Sequence, residues 1–215
     1  MTLNMPKSKD NIELLPQVDD VFMNLKVNLD FSIKKHGMQS IAVVSTSPGE
    51  GRTTSCLNLA LSYATSGKKV VLLDADLRKP AIHSWFNDSN QLGLCQYLTK
   101  LNSSNEILKN TRFPNLTYIP TGYTQMNPSG LLSSEEFDRL MQELKNRFDV
   151  IVVDTPPALK YIDAKIMAAK CDGVLLVMEC GKVKPGTALK LKEELAHAEA
   201  RLIGTLLNKV SKKSS

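Results

Sequence analysis

The chain has 215 residues, 42% of them hydrophobic and 23% charged, and a formal net charge of +5. That is the upper end of an ordinary single domain, with enough apolar residues for a sizeable core and the charge content of a soluble globular protein. Aromatics are sparse at 6% with no basic-aromatic interleaving, which excludes a nucleic-acid surface, and no stretch approaches the roughly 20 apolar residues of a membrane span.

Residues 1–17 are polar, carry no apolar leader and read as an arm with little structure, so a cytoplasmic protein is expected. Val18, Val21, Phe22, Leu25 and Leu29 then recur at helical spacing, and His36-Gly37 breaks the pattern. Residues 40–45 (SIAVVS) form a short apolar run of the kind a buried parallel strand shows. A glycine-rich turn, a helix over 53–66 and a second buried strand over 70–73 follow. Residues 92–101 and 104–109 read as helical, 116–119 as a strand, and 121–128 as a loop with Gly and Pro. A helix over 133–148 starts at a Ser133 or Ser134 cap, with Glu135 and Glu136 in its first turn. Strands over 150–153, 174–178 and 202–207 alternate with helices over 162–170 and 185–200, the last with lysines along its outer face. Cys56, Cys95, Cys171 and Cys180 make no CxxC pair and read as buried reduced thiols. Lys209, Lys212 and Lys213 read as a solvated basic tail.

Strands alternating with helices predict an α/β protein: a parallel sheet with helices on both faces, in three α/β/α layers. One domain over 18–210 is expected, with an arm at 1–17 and a short basic tail at 211–215. Ligands of such sheets bind beyond the C-terminal ends of the strands.

Residues 46–54, TSPGEGRTT, lie between a strand and a helix, where a phosphate loop belongs. Gly49 and Gly51 let backbone N–H groups turn inward on an anion, and the next helix adds its positive end. Pro48, Gly49, Glu50, Gly51, Arg52, Thr53 and Thr54 are the candidate nucleotide contacts, Thr53 offering its hydroxyl to Mg²⁺ and Thr54 meeting an α-phosphate. Two departures stand out: Thr46 replaces a common glycine, and Arg52 replaces the lysine that reaches the β- and γ-phosphates. Arginine keeps the charge but is longer and planar.

Two apolar runs end in aspartates: VVLLDADLR at 70–78 and VIVVDTPP at 150–157. Carboxylates converging beside a phosphate loop need a cation, which Mg²⁺ with ATP supplies. Asp154 and Asp76 are the candidate metal ligands beside Thr53. Asp74 can orient or deprotonate an attacking hydroxyl, and Arg52, Asp74 and Asp76 form the candidate catalytic set. Asn208, at the end of the last strand, is a candidate adenine contact, with a strand-terminal turn as the plain reading.

Together PGEGRTT (48–54), LLDADLRKP (72–80), FDVIVVDTPP (148–157), Ile162-Asp163-Ala164, CDGVLLV (171–177) and GTLLNKV (204–210) resemble the bacterial tyrosine kinases of capsule and exopolysaccharide synthesis, P-loop relatives of the MinD/ParA ATPases. The resemblance runs from about residue 18 to 210. It implies an ATP- and magnesium-dependent autokinase, activated by a membrane-embedded adaptor that recruits it to the inner face of the membrane. It also implies subunits that associate as a ring around tyrosine-rich tails. The five tyrosines here are Tyr63, Tyr97, Tyr118, Tyr123 and Tyr161, none in a terminal cluster. Asp20, Met23 and Lys26 occupy the helix positions that carry charged ring contacts in the family, and Met23 cannot make one. The rival expectations are a nucleotide-binding regulatory subunit without kinase activity, a MinD/ParA-like ATPase, and an empty scaffold.

Overall fold

A computed structural model describes residues 20–123 and 127–210. The arm at 1–17, Val18, Lys212 and Lys213 lie outside the described residues. The runs that read as buried strands form the centre of one seven-stranded sheet in the order β3-β4-β2-β5-β1-β6-β7. β1 (Ser40–Ser45), β2 (Val70–Asp74) and β5 (Val150–Asp154) are buried along their whole length. Their near-continuous Val, Ile and Leu content follows from having helices on both faces. β4 (Leu116–Ile119), β6 (Gly173–Glu179) and β7 (Leu202–Asn208) extend the sheet in parallel. β3 (Lys109–Asn110) is antiparallel to β4 and closes the edge.

On one face lie α1 (Asp20–His36) and α2 (Arg52–Thr65), with α3 (Ile82–Trp85) contributing Ile82. On the other lie α4 (Leu94–Leu98), α5 (Ser104–Ile107), α6 (Pro128–Ser133), α7 (Glu135–Arg147), α8 (Asp163–Lys170) and α9 (Pro185–His197). α1 packs against α2 and β7 through Phe22 and Leu29. Asp20 is exposed, Met23 is half-buried, and Lys26 pairs with Asp30 at 3.0 Å along the helix.

The parallel strands fall where the apolar runs place them: β1 and β4 match, β2, β5 and β7 reach one residue further to take in Asp74, Asp154 and Asn208, and β6 gains one residue at each end. The middle of the chain differs. The helix expected over 92–101 is the five-residue α4, ended by Lys100 in the left-handed region at φ 61°. The helix expected over 104–109 stops at Ile107, because Lys109 and Asn110 are drawn into β3; a two-residue strand has no period to read. The helix expected over 133–148 is α7, with Ser134 as its cap and Glu135 and Glu136 in its first turn. Ser134 leaves helical geometry (ψ 159°) to cap α7, its hydroxyl accepting the Phe137 N–H at 3.3 Å. α6 lies mainly between the loop read over 121–128 and the helix read from 133, with Pro128 in its first turn and the Asn127 side chain accepting the Ser129 N–H. Cys56, Cys95 and Cys171 are buried and reduced, but Cys180 is exposed in the turn after β6.

Phe137 is fully buried between α7 and the sheet. Phe137→Ala is expected to lower unfolding free energy by about 3–5 kcal/mol. Phe31→Ala, at a 72% exposed position on α1, is expected to change it by under about 0.5 kcal/mol. Denaturant titration of both variants checks the pair.

Candidate active site

The order β2-β5-β1 makes these three strands neighbours, so their C-terminal ends meet at one point. In register, Asp74 lies directly beside Asp154. The loop between β1 and α2 folds over this point. Gly49 (φ 82°) and Gly51 (φ 92°) hold left-handed conformations that side chains resist. At Gly51 space is short as well: a Cβ would lie 1.9 Å from the Asn208 side-chain nitrogen. No side chain caps the start of α2. Its first N–H groups are therefore left for an anion, with the positive end of a 14-residue helix behind them.

The loop is braced from both sides. Pro48 and Gly49 are exposed at its tip, while Glu50 turns inward and is 1% exposed. The Glu50 carboxylate accepts the Thr46 N–H at 3.0 Å and the Thr46 hydroxyl at 2.5 Å. Thr46 thus has a job that a glycine could not do. From β7, the Asn208 amide donates to the Glu50 carbonyl at 3.0 Å, and its oxygen accepts the Lys209 N–H. The Lys209 ammonium donates to the Gly49 carbonyl at 2.7 Å and pairs with Glu179 at 3.1 Å. Lys209 therefore belongs to the phosphate loop rather than to a solvated tail.

Arg52 reaches inward from the first residue of α2. Its Nε donates to Asp154 at 2.6 Å and its Nη2 to Asp76 at 2.9 Å, with Nη1 3.4 Å from the Ser45 hydroxyl. Thr53 donates its hydroxyl to the other Asp154 oxygen at 2.6 Å. Thr54 is half-buried in the same turn, its carbonyl accepting from the Asn58 amide. Burial opposes the Arg52 charge, but the Asp154 and Asp76 carboxylates more than offset it and hold the guanidinium above its ordinary value. Asp76 is still pushed up, because burial outweighs the pull of Arg52 and Asp154 adds repulsion. Asp74 is completely buried. One oxygen accepts the Asp76 N–H and the other the Ala81 and Ile82 N–H groups, which fixes the loop carrying Asp76. Burial first, and the Asp154 charge second, raise its pKa to about 8. Burial also pushes the Cys56 thiol, 3.6 Å from Asp154, well up, so it is an inert neighbour.

The residues present fit a magnesium-bound nucleotide. Of the three buried carboxylates, Asp76 and Asp154 share the Arg52 guanidinium and Asp74 has backbone N–H partners, which leaves negative charge for a second cation. Among the described residues no group of three His, Cys, Asp or Glu can hold a metal alone. That suits Mg²⁺, which takes one or two carboxylates and completes its shell with phosphate oxygens and water.

The structure adds a cluster that sequence reasoning did not assemble. Arg78 donates to Asp163 at 2.5 and 3.3 Å and lies 4.5 Å over the Tyr161 ring, while the Ser129 hydroxyl donates to the same carboxylate. Asp163 is 1% exposed at the start of α8. Arg78 and Asp163 both stand in the motif segments, but 85 positions separate them and only the fold pairs them.

The AAA domain family model matches residues 38–203. The tyrosine-protein kinase YwqD of Bacillus subtilis is 37% identical over 195 residues, covering 90% of this chain and 82% of that protein. The tyrosine-protein kinase CpsD of Streptococcus agalactiae is 35% identical over 196 residues, covering 91% and 84%. Among solved structures, the kinase domain of the Escherichia coli tyrosine kinase ETK superposes with a TM-score of 0.88 at 27% identity, covering all of this chain and 86% of that one.

Gly51→Ala is expected to destabilise the protein by about 1–3 kcal/mol, through left-handed strain and the clash with Asn208, and to weaken nucleotide binding. Gly186→Ala, near the start of α9 with open space around it, is expected to be neutral or stabilising by up to about 1 kcal/mol. Thermal melts with and without ADP separate the two.

Proposed function

We propose that this chain, which belongs to the bacterial tyrosine kinases and through them to the AAA-domain P-loop proteins, transfers the γ-phosphoryl group of ATP to tyrosine side chains, its own included, in the control of capsule or exopolysaccharide synthesis and export. The observation that carries the reading is the convergence of Arg52, Thr53, Asp76 and Asp154 beneath an N–H-lined loop. Residues 46–54 cradle the phosphates through the backbone N–H groups around Gly49 and Gly51 and the start of α2. Thr53, Asp76 and Asp154 would hold Mg²⁺ directly or through water. When bound, the ion neutralises charge on the transferred group and orients it. Arg52 leaves the carboxylates for the phosphate oxygens as nucleotide enters, offering two N–H groups in place of a point charge. Asp74 orients or deprotonates the acceptor hydroxyl once residues 81–82 release its oxygen. Asn208, already holding the loop, contributes an amide to the adenine side.

The domain spans 18–210, with 1–17 and 211–215 as flanking segments. No helix among the described residues is long and apolar enough to cross a membrane. We assign the protein to the cytoplasm, brought to the inner face of the membrane by a membrane-embedded adaptor whose cytosolic segment activates it. Subunits self-associate more weakly than in relatives with charged α1 contacts, because Met23 carries no charge. One observation favours a second reading, a regulatory nucleotide-binding subunit without transfer activity: Arg52 is held at 2.6 and 2.9 Å by the carboxylates that a metal needs.

Incubation with ATP, Mg²⁺ and the adaptor's cytosolic segment, followed by phosphotyrosine detection, decides between them. The kinase reading expects signal from the natural chain, retained in Arg52→Lys and reduced about 10²–10³-fold in Asp154→Asn. Signal from Arg52→Lys alone would establish the regulatory reading instead.

A further inference from the structure

A phosphate loop binds through N–H groups, and an N–H points only where its peptide plane is turned. In this loop one strand end turns two consecutive planes. The Gly49 carbonyl, which shares a plane with the Glu50 N–H, accepts from the Lys209 ammonium at 2.7 Å. The Glu50 carbonyl, which shares a plane with the Gly51 N–H, accepts from the Asn208 amide at 3.0 Å. Both planes are trans, so each N–H points away from the carbonyl of its own plane. Asn208 ends β7 and Lys209 follows it. The sheet order puts β6 and β7 on one side of β1, and β5 and β2 on the other. Carbonyls drawn toward β7 therefore turn their N–H groups toward the strands that end in Asp154 and Asp74. Among the described residues neither N–H has an acceptor.

Lys209 is itself held in place. Its backbone is in the left-handed region at φ 55°, and its N–H is taken by the Asn208 side-chain oxygen at 2.8 Å. Glu179, at the end of β6, pairs with the ammonium at 3.1 Å. The next residue, Cys180, donates its N–H to the Asn208 carbonyl at 2.9 Å and so ties the two strand ends together. Lys182 pairs with the same Glu179 oxygen at 3.0 Å, but the loop carbonyls are taken by Asn208 and Lys209.

We propose that Lys209 is a positioning residue for phosphate binding, an inference that rests on the nucleotide-binding reading above. Its ammonium, with the Asn208 amide beside it, fixes the two loop planes so that the Glu50 and Gly51 N–H groups face the phosphates of the nucleotide. Lys209 acts through the loop and is not a phosphate ligand. Its ammonium lies on the carbonyl side of the plane, and its charge is shared with Glu179. Without it the plane between Gly49 and Glu50 is free to rotate, because the glycine on one side resists little. What is lost is the direction of a donor. Lys209 is exposed at the sheet edge, so that loss falls on affinity for phosphate and not on the stability of the fold.

The test uses the full chain with Mg²⁺ and ADP, affinity being read by calorimetry and stability by nucleotide-free thermal melts. Lys209→Met is expected to weaken ADP binding about tenfold, the scale of one charge-assisted hydrogen bond. Its nucleotide-free melting temperature is expected to stay within about 2 °C of the natural chain. Lys209→Arg keeps a charged donor at similar reach and is expected to bind ADP within about threefold of the natural chain. Lys182→Met removes the same charge from the same Glu179 without touching the loop, and is expected to change ADP affinity by less than about twofold. Equal weakening in Lys182→Met and Lys209→Met would make the effect one of charge at the loop mouth and overturns the proposal. ADP affinity in Lys209→Met equal to that of the natural chain overturns it too. So does a melting temperature that falls together with ADP affinity in both Lys209→Met and Lys209→Arg, which marks a structural role. Absence of ADP binding by the natural chain overturns the nucleotide-binding reading and this inference together.

Discussion

Three carboxylates buried at the ends of adjacent parallel strands are the constraint around which this molecule is arranged. Asp74 and Asp154 sit side by side in register, and both are fully buried, with Asp76 two residues on. Such charges are expensive out of water unless something positive or hydrogen-bonding meets them. Here each receives a different answer. Asp74 is met by backbone N–H groups, Asp76 and Asp154 by the Arg52 guanidinium, and Asp154 also by the Thr53 hydroxyl. Part of the charge at the strand ends is thus offset from within the site, by Arg52.

That arrangement ties the phosphate loop to the sheet. Arg52 and Thr53 open α2, so their hold on the carboxylates sets the direction of the helix and of the N–H groups at its start. The far side of the loop is held by β7, which lies at the sheet edge and is only half-buried. Asn208 and Lys209 reach from it to the Glu50 and Gly49 carbonyls. A half-buried edge strand therefore contributes to the most exacting geometry. Gly51 must be glycine partly because Asn208 occupies the space its side chain would need.

How much of this could be read in advance depends on the kind of signal each element carries. β1, β2 and β5 were legible because strands covered on both faces are apolar throughout. The loop was legible because its glycines and its place between strand and helix are local features. α6, the two-residue β3 and the short α4 were not, since each is decided by one cap, one turn residue or one edge pairing that leaves no period. The partners that brace the site were missed for a related reason. Lys209 reads as part of a charged tail, Glu50 as a nucleotide contact, and Asp163 as one residue of a motif segment in a helix. Each is defined by a contact 4 to 160 positions away in the chain.

The amino-acid sequence by itself determined the fold class, the phosphate loop and the aspartate-tipped strands, because hydrophobic period, glycine placement and terminal charge are written locally. It also determined the family, through motif segments spread over nearly the whole chain. Only the tertiary structure decided where the Arg52 charge goes. A guanidinium that reads as a phosphate ligand is the counterion of Asp76 and Asp154, because burying those carboxylates demands a cation and Arg52 is the one whose reach the fold directs there. Sequence supplies the charges, but their pairing depends on which strands are neighbours, and that is settled only when the sheet is assembled.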